Sequence, residues 1–113
     1  MKKFDIDYDA ENDSLLAYSS DSKSNGAVEA GNFIFDLDSH GNLVGMEVLD
    51  VSEFFKMLFS KVINISDIKE FRADVVNFRN TTSIIQFSID TGSGVERDKI
   101  VIPRIGDSPA VNY

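Results

Sequence analysis

The chain has 113 residues, a net charge of −8 and no cysteine. That length gives one domain with a core that needs no disulfide or metal staple, and the missing thiols exclude cysteine catalysis and cysteine-ligated zinc or iron–sulfur centres. One histidine, His40, rules out a multi-histidine metal site within a single chain. The charge is unevenly placed: residues 1–60 hold 12 acids and 4 lysines, residues 61–113 hold 7 acids and 7 bases. An acidic surface repels phosphate backbones, so no nucleic-acid partner is expected. No run of about 18 apolar residues occurs, so no membrane partner is expected either. The opening MKKFDIDYDAEND lacks the apolar stretch of a signal peptide, and the expected location is cytoplasmic.

Residues 4–9, FDIDYD, alternate apolar and acidic side chains and predict a half-buried strand. A turn over AENDS and a short strand, LLAYSS, follow. Residues 20–26, SDSKSNG, predict a polar loop.

NFIFDLD (32–38) and LVGMEVL (43–49) predict the two strands of a hairpin, with His40-Gly41 near its tip. An even loop pairs Asp38 with Leu43, Leu37 with Val44, Phe35 with Met46 and Phe33 with Val48. The apolar side chains then share one face, which a one-residue slip would split. The same stretch, DLDSHGNLVGME, spaces Asp36, Asp38 and Glu47 like ligands of a calcium-binding EF-hand loop. In the hairpin register those three carboxylates spread along a sheet face, where diagonal neighbours sit about 7–8 Å apart, too far to wrap one ion. No metal or other cofactor is therefore expected.

Asp50-Val51-Ser52-Glu53 has the form of a capping box, so Asp50 is the expected N-cap of a helix over 51–62. Its apolar side chains exceed what one sheet face needs. Phe54, Phe55, Met57, Leu58 and Phe59 are the candidate interaction residues. Beyond the helix, KEFRADVVNF alternates and then changes phase, which predicts a bulge near 74–76. Asn80-Thr81-Thr82 marks a turn; Ile85, Phe87 and Ile89 share a strand face; DTGSG (90–94) is a glycine-rich turn; VERDKIVIP is a last strand. Residues 106–113 read as a flexible tail. The expected fold is α+β: a single domain over 1–105, an antiparallel sheet built from hairpins, with one helix packed on a face.

Tyr8-Asp9, Asp13 and Leu15, then Asp36-Leu37-Asp38-Ser39-His40-Gly41, then Val44-Gly45-Met46-Glu47-Val48-Leu49 with Ser52, resemble the small prokaryotic domain-of-unknown-function family 2283. The resemblance covers residues 8–52 and implies a β-rich domain followed by a helix. It implies no activity, cofactor or catalytic residue.

Three functions compete. The first is a protein–protein interaction module, with a homodimer or another protein as partner, supported by the apolar helix, the edge strands and the charge split. The second is a metal or small-ligand module on the acidic surface, using Asp5, Asp7, Asp9 and Asp13, or Asp36, Asp38 and Glu47. Alternating acids are also what a solvated sheet face looks like. The third is a carboxylate enzyme, with Glu47 flanked by Ile34, Leu43 and Leu49, or with Asp90-Thr91-Gly92 used as in aspartic proteases. The first is the expected one, and no catalytic residue is assigned.

Overall fold

The computed structural model describes residues 1–78 and 82–103. Strand β1 (Lys2–Asp9) places Phe4, Ile6 and Tyr8 on one side and its aspartates on the other, as period-two alternation requires. It turns back into β2 (Ser14–Tyr18), with Asp5 opposite Tyr18 and Asp9 opposite Ser14. Next come β3 (Gly26–Ala30), β4 (Phe33–Leu37) and β5 (Leu43–Leu49), then helix α1 (Val51–Phe59) and a 3-10 turn over Ile65–Asp67. Strands β6 (Glu70–Phe78), β7 (Thr82–Asp90) and β8 (Val95–Pro103) complete the described residues. All pair antiparallel in the order β3-β4-β5-β2-β1-β6-β7-β8. The expected α+β class holds.

Strand β1 joins two halves. Its Asp5–Asp9 segment pairs with β2, and its Lys2–Phe4 segment pairs with β6. The sheet curls about this strand, so that Phe33 of β4 and Phe87 of β7 stack at 6.1 Å across the interior. Phe54 of α1 stands edge-on to Phe33 at 4.9 Å and to Phe87 at 6.4 Å. Helix and sheet thus share one apolar core on the concave side, which includes Phe35, Met46, Val48, Phe55, Phe71, Ile85 and Ile89. Edge-to-face and offset rings of this kind each add about 0.5–1.5 kcal/mol beyond burial.

The hairpin of β4 and β5 pairs Phe35 with Met46, Phe33 with Val48 and Asp36 with Gly45, as expected. The last step differs. Leu37 pairs with Leu43, and the register shifts between Asp36 and Leu37, so Val44 is bulged out of the ladder. The cause is the turn. Asp38 accepts the amides of His40 and Asn42, each at 2.9 Å, and Gly41 takes φ 84°. Those bonds hold a three-residue loop closed by a bulge. Leu37 and Leu43 both still reach the core.

Three other expectations need correction. Strand β3 begins at Gly26, the last residue of the expected loop over 20–26, and runs through residues to which no element was assigned. Its Gly-Ala-Val-Glu-Ala is too small and too weakly patterned to announce a strand. The phase change in β6 produces no bulge: pairing with β7 runs unbroken from Glu70–Asp90 to Phe78–Thr82, and Val76 lies on the exposed side. Helix α1 ends at Phe59, before Val62, because Ser60 caps it in the left-handed region at φ 58°. The chain then turns Ile63, Ile65 and Ile68 into the core and leaves Val62 80% exposed. The expected turn at 80–82 falls mostly, and the tail at 106–113 wholly, outside the described residues.

Candidate functional site

The first cluster is built on the turn between β1 and β2. Asp9 accepts the amides of Glu11 and Asn12 and the Asn12 side-chain amide at 2.8 Å. The side-chain bond from Asn12 is the main cause holding the Asp9 carboxyl below its ordinary 3.8. This carboxylate fixes the turn and brings Asp13 round at φ 51°, a conformation aspartate tolerates better than most residues.

Asp13 then acts at long range. Its Oδ1 accepts the Tyr8 hydroxyl at 2.9 Å, and its Oδ2 accepts the Ser52 hydroxyl at 2.6 Å. The Ser52 amide donates to both oxygens at 3.2 and 3.3 Å, and the Val51 amide donates to the Asp13 carbonyl at 3.0 Å. The first turn of α1 is therefore capped by a residue 39 positions earlier. This corrects the expected capping box: Asp50 sits at the N-cap position at φ 53° and makes no side-chain cap. The hydrogen bond to Asp13 is the first cause raising the Tyr8 phenol above its ordinary value. A negative carboxylate on helix amides is favourable. The arrangement ties three elements together and presents no open position for chemistry.

The candidate metal residues are not brought together. Asp38 spends its carboxylate on its own turn, and the Asn42 amide is the main cause holding it below 3.8. Asp36 lies on the convex face opposite Gly45 and Ala27. Glu47 lies on that face between Ile34 and Leu16, while Leu43 turns to the core. Among the described residues, no three His, Cys, Asp or Glu side chains are grouped so as to hold a metal ion. Asp90 accepts the Gly92 amide of its own turn at 2.8 Å. Asp5 and Asp7 are exposed on the convex face of β1.

The candidate interaction residues separate. Phe55 is fully buried, and Phe54 is 9% exposed. Leu58 and Phe59 are half-buried against the core. Met57 stands out at 73% exposed. Phe54 and Met57 face an apolar groove of about 540 Å³, whose walls are the two edge strands of the sheet, unpaired among the described residues. Val28, Glu29 and Ala30 of β3 form one wall, and Val101 and Ile102 of β8 form the other. Phe33 also lines it, and Val101 is 65% exposed. Sequence reasoning missed both walls. The exposed member of Ile100-Val101-Ile102 was the available signal, since an alternating strand buries only every second residue.

An eight-stranded curled sheet with one helix in its concavity defines a small α+β domain. Residues 5–52 match the family described as protein of unknown function (DUF2283). An uncharacterized protein of Methanocaldococcus jannaschii is 29% identical over 114 aligned residues, covering 88% of this chain and 98% of its own length. A Methanosarcina mazei protein named "Putative hypoxanthine phosphoribosyltransferase" is 29% identical over 96 residues, covering 84% of this chain and 72% of its own. No solved structure matches the chain. The family segment contains the whole Tyr8–Asp13–Ser52 cluster. No helix among the described residues is long and apolar enough to cross a membrane.

Proposed function

We propose that the chain is a self-associating interaction module whose contact surface is the groove between β3 and β8. The observation that carries this reading is an apolar groove bounded by two strand edges that are unpaired among the described residues, with Met57 73% exposed and Val101 65% exposed at its rim. Exposed apolar side chains beside free backbone edges are what association covers. The helix contributes through Met57 and the groove-facing ring of Phe54, because Phe55 already serves the core. The acidic residues of the first half keep the remaining surface soluble.

The name of the Methanosarcina relative supplies no second reading. A phosphate site needs amides aimed at the anion. In the glycine-rich turn at 90–94, the Gly92 amide is taken by the Asp90 carboxylate and the Thr91 amide by the Gly94 carbonyl.

Light scattering on a sizing column, from micromolar to millimolar protein, tests the proposal. Met57→Glu should shift the dimer toward monomer while leaving the far-UV circular dichroism spectrum of the folded chain unchanged. Val62→Glu, at a site 80% exposed and outside the groove lining, should leave the mass unchanged. A wild-type monomer throughout the range refutes the reading.

A further inference from the structure

We infer that the groove docks against the same groove of a second copy, with β3 of each subunit pairing antiparallel with β8 of the other. This inference rests on the self-association proposed above and names its geometry. Strand β8 is unsuited to pairing with its own copy. A two-fold axis that joins two copies of one edge antiparallel keeps each face on its own side, so opposed residues come from the same face. Arg97 and Lys99 lie opposite Ser88 and Gln86 on the convex side, and Glu96 and Asp98 lie opposite Ile89 and Phe87 on the concave side. Any such register that sets charge against charge therefore opposes cation to cation or acid to acid, which destabilises a sheet.

Strand β3 is the complement. Its one charged residue is Glu29, exposed on the convex side beside Ala27, while Val28 and Ala30 are half-buried on the concave side. With Glu29 opposite Lys99, Val28 falls opposite Ile100 and Ala27 opposite Val101. One ion pair and two apolar pairs result, each on a matching face.

The backbone is compatible with the same register, because it sets outward-facing residues opposite one another. The Thr91 amide donates to the Gly94 carbonyl. Alternation along an antiparallel ladder then turns the N–H and C=O groups of 96, 98 and 100 toward β7, leaving Lys99 and Val101 to present theirs outward. The two-residue turn Gly31-Asn32, with Gly31 at φ 60°, makes Ala30 and Phe33 its closing hydrogen-bonded pair. Ala27 and Glu29 therefore also point theirs outward. Because β3 and β8 run antiparallel within the sheet, a two-fold along the groove forms the junction twice and covers both copies of Met57.

Sedimentation equilibrium with charge reversal tests this. Glu29→Lys and Lys99→Glu should each weaken the wild-type dimer roughly tenfold or more, since an attractive pair becomes a repulsive one at two junctions. The double variant should recover to within about threefold of wild type, the scale of ordinary non-additivity. Both residues are exposed, and circular dichroism should show every variant folded. A dimer indifferent to the single reversals, or not rescued by the double, overturns this geometry and leaves the self-association reading standing. A wild-type monomer at all concentrations ends both.

Discussion

Replacing Asp13 with alanine tests the first cluster most severely. The substitution removes the acceptor of the Ser52 amide and hydroxyl and of the Tyr8 hydroxyl. Losing a helix cap costs about 1 kcal/mol, with a range of roughly 0.5–2. Holding alanine in the left-handed conformation that Asp13 adopts at φ 51° adds about 1–2 kcal/mol. The total is roughly 1.5–4 kcal/mol, which lowers the melting temperature by about 6–16 °C at about 4 °C per kcal/mol for a domain of this size. Asp13→Asn keeps the backbone tolerance and one acceptor, so it should lose less than half as much. Ser52→Ala removes one donor and leaves the amide capped, so it should cost under about 1 kcal/mol. Because both residues share one hydrogen-bond network, Asp13→Ala with Ser52→Ala should be no worse than Asp13→Ala alone. Thermal unfolding followed by circular dichroism measures all four. An Asp13→Ala melting temperature within about 2 °C of wild type, or full additivity in the double variant, would refute the latch.

Gly45→Ala should destabilise by about 1–3 kcal/mol, read by urea unfolding, because a Cβ there would meet the Ala17 carbonyl oxygen at 3.1 Å and the Asp36 carboxylate at 3.4 Å. Acid should unfold the chain partly through Asp38. Its folded pKa is depressed, so its contribution is present above the ordinary 3.8 and is lost as pH falls through the folded value. Asp38→Asn should flatten the stability profile across that window; an unchanged profile would show that the turn bonds contribute nothing. Millimolar calcium should leave the melting temperature unaltered, whereas a site saturated a hundredfold above its dissociation constant would add about 2.7 kcal/mol. A calcium-dependent rise that Asp36→Asn abolishes would restore the metal reading of the 36–47 stretch.

Sequence patterning disclosed what depends on neighbours. The pairing of Phe35 with Met46 follows from strict alternation on both strands, and the shared face of Ile85, Phe87 and Ile89 is equally local. The bulge at Val44 escaped because turn hydrogen bonds, not apolar pairing, set the final step. The cap escaped because Asp50 satisfies a local motif while Asp13 reaches Ser52 from 39 residues away. The groove escaped for the same reason. Its walls, β3 and β8, lie at opposite ends of the sheet order and meet only because the sheet curls. The motif residues of the family segment gain a physical account: Asp9 fixes a turn, Asp13 and Ser52 hold the helix, and Gly45 permits close strand approach.

Residue-resolved amide hydrogen exchange as a function of protein concentration tests the central claim most directly. The outward amides of Ala27 and Glu29 on β3, and of Lys99 and Val101 on β8, should exchange rapidly in dilute solution. They should become protected together as concentration rises, while the Phe35 and Ile85 amides stay protected throughout. Exchange at both edges that ignores concentration, or protection that appears at one edge without the other, would contradict the account.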